Sequence, residues 1–172
     1  MPSTISDILN NFKKSGFARQ ARFEVTFGDL NAADATDVLR KNDLRFRCET
    51  AQLPSRTIMT TEQKIYGYTE KYPYATSYDD ITLNFFVSET MQEKKLFDNW
   101  LNYVHPKSTY NMRFKNQYET TITIKQYDME NVNTHTVKLL EAYPIAVGEL
   151  ELNWASESIH ILPVVFAYSR WE

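Results

Sequence analysis

The stretch that decides the fold is Tyr143-Pro-Ile-Ala-Val-Gly-Glu-Leu-Glu-Leu-Asn-Trp154, followed by the run from Ser156 to Trp171-Glu172. The first part reads as a strand, a turn at Gly148 and a second alternating run in which Leu150, Leu152 and Trp154 point one way. The second part carries Ile159, Ile161, Val165, Phe166, Tyr168 and Trp171 and continues as strand to the last residue. A chain ending this way is expected to have its terminus tied into a sheet or an interface.

Working outwards, period-two patterning recurs. Thr134–Tyr143 reads as a strand, and so does Asp79–Val87, with Ile81, Leu83, Phe85 and Val87 on one face. Tyr110–Phe114 and Tyr118–Tyr127 read as a hairpin across Lys115-Asn116-Gln117. Arg19–Phe27 places Ala21, Phe23, Val25 and Phe27 together, and Leu44–Glu49 does the same for Leu44, Phe46 and Cys48 before Leu53-Pro54-Ser55 breaks the strand. One amphipathic helix is expected over about 90–104. Thr90-Met-Gln-Glu93 fits a capping box, Leu96, Phe97, Trp100, Leu101 and Val104 supply the apolar stripe, and Pro106 ends it. Residues 3–15 suggest a short helix stopped by Gly16, and 28–43 an extended loop.

Thr57–Tyr66 is β-prone but polar on both faces, so it has no core side and a weak register. It is either a strand that finds its partners in a larger assembly or an exposed hairpin arm. Gly67–Ser77, with Tyr72-Pro-Tyr74, reads as a Tyr-rich loop. About eight strands joined by short turns imply a mainly β fold: a single domain over 1–172, an antiparallel β-sandwich or small barrel flanked by one α-helix.

Composition narrows the function. A net charge of −3, with signs interspersed, argues against a duplex-binding module, which needs a basic stripe. The single cysteine, Cys48, excludes an internal disulfide and reads as a buried structural thiol. Residues 1–18 show no apolar signal-peptide core, and no run approaches the ~20 apolar residues of a membrane helix, so folding in a cytosol without a membrane anchor is expected.

Catalytic and cofactor signatures are not found. Four scattered glycines build no phosphate-cradling loop, and His105, His135 and His160 have no partner at metal-ligand spacing. Glu149 and Glu151 would share a face of a strand and so imitate a glycosidase couple. Without a cleft or polar support they read better as a solvated or contact face. No enzyme, cofactor or metal site is expected.

Several separated motifs together resemble the tail tube proteins of T4-type contractile-tailed bacteriophages. They are Ser15-Gly-Phe-Ala-Arg19 with Phe23-Glu-Val25, Phe46-Arg-Cys48 with Ala51-Gln-Leu-Pro54, Phe97-Asp-Asn-Trp100, Pro144–Trp154 and the closing Trp171-Glu172. Segment 28–43 departs from the family pattern by its length, and 105–133 matches it poorly, so neither lends residue roles. The resemblance implies hexameric rings stacked into a hollow tube, an inner β-barrel shared between subunits, and DNA passing through without sequence-specific binding. It implies partners in sheath, baseplate and tape-measure proteins, and a place in the virion tail after assembly in the bacterial host cytoplasm. Glu49, Thr60, Glu62 and Lys64 become candidates for the lumen or a ring interface, and Glu149, Glu151, Trp171 and Glu172 for contacts between subunits. A baseplate tube-initiator or the tube of a phage-derived injection system would share the pattern. From another class, a β-sandwich carbohydrate-binding module could use Tyr72, Tyr74 and Trp154 as stacking rings, although Trp154 fits a core position better.

Overall fold

The alternation of apolar and polar residues is realised as an antiparallel β system closed over a single core. The structure, a computed structural model, describes residues 5, 10, 18–28, 44–155 and 157–172. The elements are β1 (Phe23–Phe27), β2 (Cys48–Ala51), β3 (Thr57–Ile65), β4 (Tyr68–Ser77), β5 (Ile81–Phe86), α1 (Gln92–Val104), α2 (Lys115–Tyr118), β6 (Thr120–Tyr127), β7 (Asn133–Val147), β8 (Ile161–Ala167) and β9 (Arg170–Trp171). Strands follow the order β1-β6-β7-β8-β5-β2, with β9 also on β7, and β3–β4 form a separate two-stranded sheet.

The 15-residue β7 makes the corner between two layers. Its first part pairs with β6 as far as Ala142, and its last part, from Tyr143, pairs with β8. Glu141, at φ 57°, and register shifts opposite Thr120 and after Pro144 turn the strand from one layer to the next. Layer A holds β1, β6, the start of β7 and β9; layer B holds the end of β7, β8, β5 and β2.

Period two then fills the space between the layers. Val25, Phe27, Ile122, Ile124, Val137 and Leu139 come from layer A, and Ile81, Leu83, Phe85, Leu162, Val164 and Phe166 from layer B. Helix α1 contributes Leu96, Phe97 and Trp100 to the same core. Phe97 lies 5.1 Å from the ring of Phe85 and 6.0 Å from that of Phe166, and Trp100 Nε1–H donates to the Tyr118 carbonyl at 2.9 Å.

The structure changes several expectations. Tyr110–Phe114 is not a strand; 115–118 is one helical turn, and β6 pairs with β1 and β7 instead. Gly67–Ser77 is not a loop but contains strand β4. Leu44–Arg47 forms a turn closed by Arg47 N–H to the Leu44 carbonyl, so Leu44 is buried while Phe46 swings out into solvent. The capping box is displaced: left-handed Met91 (φ 56°) caps α1, and Glu93 reaches back to Ser88 rather than pairing with Thr90. The alternating run at Leu150, Leu152 and Trp154 is not a strand, because β7 ends at Val147. Trp154 is fully exposed rather than core. In β8 the core parity is Leu162, Val164 and Phe166, which leaves Ile159 and Ile161 outside. The expected helix over 3–15 and most of the loop at 28–43 lie outside the described residues.

Candidate assembly interface

The polar strand expected near residue 60 is half of a hairpin. Tyr66 (φ 51°) and Gly67 (φ 96°) give two successive positive φ values, the two-residue turn that matches strand twist. Pairing runs from Ile65↔Tyr68 to Thr57↔Ser77, with one irregularity after Met59. Thr60, Glu62, Lys64, Thr69, Lys71 and Pro73 fall on one face, and Thr61, Gln63, Tyr68, Glu70 and Tyr72 on the other. The first face carries the ion pair between Lys71 and Glu62, 3.5 Å. On the second, the Tyr72 hydroxyl donates to Glu70.

Among the described side chains of the hairpin none belongs to the core, and Ile58, Met59, Tyr66, Tyr68, Tyr72 and Tyr74 are all exposed. A two-stranded ribbon without a packed face is marginal in water, and the exposed tyrosines make this arm a candidate contact surface. It continues layer B. The junction at 52–56 and 78–80 is tied by Thr82 N–H donating to Gln52 Oε1 (2.9 Å) and Ser55 Oγ–H to Asp79 Oδ2 (2.8 Å).

Among the described residues, layer B has two strand edges without a strand beside them: β2 pairs only with β5, and β7 beyond Ala142 pairs only with β8. The layer's face turned away from the core carries Thr50, Thr82, Asn84, Ala146, Pro163 and Val165, with no charged side chain among them. Asn84 Nδ2–H donates to Thr50 Oγ1 at 2.7 Å across this face. The arm leaves layer B where β5 begins. At the opposite end, where β5 closes on β8 through Phe86↔Ile161, the exposed apolar side chains are Phe46, Phe86, Leu152, Trp154, Ile159 and Ile161.

Charged groups in the body are structural. Glu93 is buried; its Oε2 accepts from Ser88 N–H (2.8 Å) and Oγ–H (2.7 Å), and its Oε1 lies 2.7 Å from the Arg47 guanidinium. Burial pushes its pKa up, but the Ser88 bonds and Arg47 outweigh burial and hold the carboxyl below its ordinary range. Lys115 pairs with Glu141 at the corner of β7, and Ser169 Oγ–H donates to the same carboxylate at 2.6 Å. Burial, and then Glu49, pushes the Cys48 thiol up to about 12, which keeps it protonated and unreactive at neutral pH. Among the described residues no group of three His, Cys, Asp or Glu is placed to hold a metal ion.

The family model described as "Phage tail tube protein" matches residues 18–172. The chain belongs to the phage tail tube protein family. It is therefore a structural component of a phage tail, not an enzyme. It is similar to the tail tube protein gp19 of Enterobacteria phage T6, 24% identical with 98% of this chain and 99% of the relative covered. Against gp19 of Enterobacteria phage T4 the identity is 23% over the same shares. Among solved structures it shares its fold with a chain of an extracellular contractile injection system, the PVC sheath–tube complex in its extended state. That match has a TM-score of 0.68 at 16% identity and covers 99% of this chain and 97% of the other.

Within this tail tube subunit the candidate residues separate. Thr60, Glu62 and Lys64 come together on one face of the arm. Glu49 lies apart, at the β2 irregularity, and lines the groove between β1 and β2 with Phe23 and Leu53. Glu149 and Glu151 follow the end of β7 in irregular backbone and are not a same-face strand pair. Trp171 pairs with Leu139 and packs against the core, and Glu172 exchanges backbone hydrogen bonds with Lys138 (2.8 and 2.9 Å). Tyr72 and Tyr74 sit on the arm and Trp154 at the other end of layer B, so the three rings form no single sugar-stacking platform. The sequence reading missed Tyr66, Tyr68 and Phe46. The Tyr-Gly turn between two β-prone runs, Ile65-Tyr-Gly-Tyr68, was the signal available for the arm.

Proposed function

We propose that this protein is the repeating subunit of a contractile-tail inner tube, in which six copies close a ring, rings stack, and DNA passes through the channel. The observation that carries this reading is layer B, whose outer strands β2 and β7 each lack a neighbour on one side among the described residues. Because the layer has four antiparallel strands, a junction between β2 of one copy and the end of β7 of the next keeps the antiparallel alternation. Such head-to-tail contacts close into a ring when the rotation permits, and closure removes the exposed edges.

Layer A and α1 then lie outside, and the Thr50–Asn84–Val165 face lines the channel. A channel wall without cations does not retain phosphates, which suits a conduit. In this reading the wall comes from layer B, while Thr60, Glu62 and Lys64 on the arm belong to a ring interface. Glu49 stands beside the edge of β2 that would meet the next copy. The outer side would face a sheath, a reading supported by the fold shared with a chain of a sheath–tube complex. Baseplate and tape-measure proteins would meet the two tube ends and the lumen. Sedimentation velocity over a concentration series tests the proposal. Growth from monomer to a six-fold species and then to large assemblies is expected, whereas a monomer that persists at high concentration contradicts it.

A further inference from the structure

Layer B carries two unlike apolar poles at its opposite ends, one projecting and carrying Lys64, the other concave and acidic. One pole is the arm tip, where Tyr66 is 99% exposed, Tyr68 projects beside it, and Lys64 makes no ion pair among the described residues. The other is the segment 148–155 with 157–160, which contains Glu149, Glu151 and Glu157 and no lysine or arginine. There a concavity of ≈ 440 Å³ is lined by Glu151, Leu152, Asn153, Trp154, Ser158 and His160. That volume accommodates aromatic side chains, and its wall offers apolar surface from Trp154 and Leu152 with a carboxylate at the rim. The β3–β4 hairpin and the length of β5 both lie between the two poles, so within this chain they stand apart, whereas a second copy related by translation along the strands would bring them together.

We propose that the arm tip of one copy seats in the Trp154 concavity of a second copy in the adjoining ring. Tyr66 and Tyr68 pack on Trp154 and Leu152, and Lys64 pairs with Glu149 or Glu151. This contact rests on the tube reading above and assigns its axial, ring-to-ring step to named residues. It is heterologous: each copy uses its arm at one end and its concavity at the other, which is the arrangement that extends without limit. A single exposed ion pair is weak, but a ring presents the contact at every subunit, so small losses multiply.

The test compares wild type with Lys64→Glu, Glu151→Lys, Trp154→Ala and the exchanged pair Lys64→Glu/Glu151→Lys. Assembly is read by negative-stain microscopy and by the mass that pellets, and folding by circular dichroism. All substituted side chains are exposed, so the folded subunit is expected to persist. The single variants are expected to stop at isolated rings, with pelletable mass reduced roughly tenfold or more, as loss of a repeated contact implies. The exchanged pair is expected to recover tubes. Wild-type tubes that elongate equally well in Lys64→Glu and Trp154→Ala overturn this contact alone. Wild-type protein that makes neither rings nor tubes overturns the tube reading, and this contact with it.

Discussion

Glu93 shows how one side chain can hold several elements. Its carboxylate joins the start of α1 to Ser88 and to Arg47 of the turn before β2, and the main chain of Arg47 in turn accepts from Phe86 N–H at 2.8 Å. Glu93→Ala leaves Arg47 without its partner and should lower stability by about 1.5–3 kcal/mol, the range for hydrogen bonds to charged groups, as measured by urea denaturation. The pH dependence follows from the depressed pKa. The contribution is complete above the ordinary carboxylate value near ~4.3 and is lost as pH falls through the lower folded value. Wild type should therefore lose stability faster than Glu93→Gln below roughly pH 5; parallel curves would contradict this. Gly148 is constrained differently: a Cβ there would lie 2.4 Å from Pro163 Cγ and 3.0 Å from the Pro163 carbonyl oxygen. Gly148→Ala should cost about 1–3 kcal/mol through overpacking at the β7–β8 ladder, seen as a lower Tm.

At the level of elements, the β3–β4 arm is separable from the fold. Among its described side chains none joins the core, and it forms its own sheet. Replacing 57–77 by a short Gly-Ser linker should leave a cooperatively folding subunit with an almost unchanged Tm, yet remove tube formation. A subunit that unfolds on this replacement would show that the arm stabilises the body. The same division explains what could be read in advance. Ile81, Leu83 and Phe85, or Leu96, Phe97 and Trp100, declare their elements because one face is apolar and the other is not. The segment 148–155 misled because Leu150, Leu152 and Trp154 alternate without pairing: β7 ends at Val147, and the chain continues from Gly148 as irregular backbone that leaves Leu152 and Trp154 exposed. Phe46 misled because the turn at Leu44–Arg47 breaks the parity that its neighbours obey. The arm was half legible; its polar strand stood out, but β4 was hidden by Pro73 and the tyrosines, and no core pattern marked the pairing. The assembly surfaces were least legible, since an exposed Trp154 and a buried one look alike in an alternating run.

At the level of the whole molecule, the features that a single chain leaves unsatisfied fall into a pattern. Two strand edges border layer B, and two apolar poles cap its ends. The edges call for neighbours around a ring, and the poles for neighbours along an axis. In the tube proposed above, both kinds of neighbour are supplied by further copies, and the uncharged face of layer B would line the channel. Helical reconstruction by cryo-electron microscopy of the purified, self-assembled protein tests this most directly. The account predicts hollow tubes of stacked six-fold rings, with Thr50, Asn84 and Val165 facing the lumen and β2 hydrogen-bonded to β7 of the adjacent copy. Tubes with layer A or α1 on the channel wall would contradict it, as would a protein that remains monomeric under every condition in which it is folded.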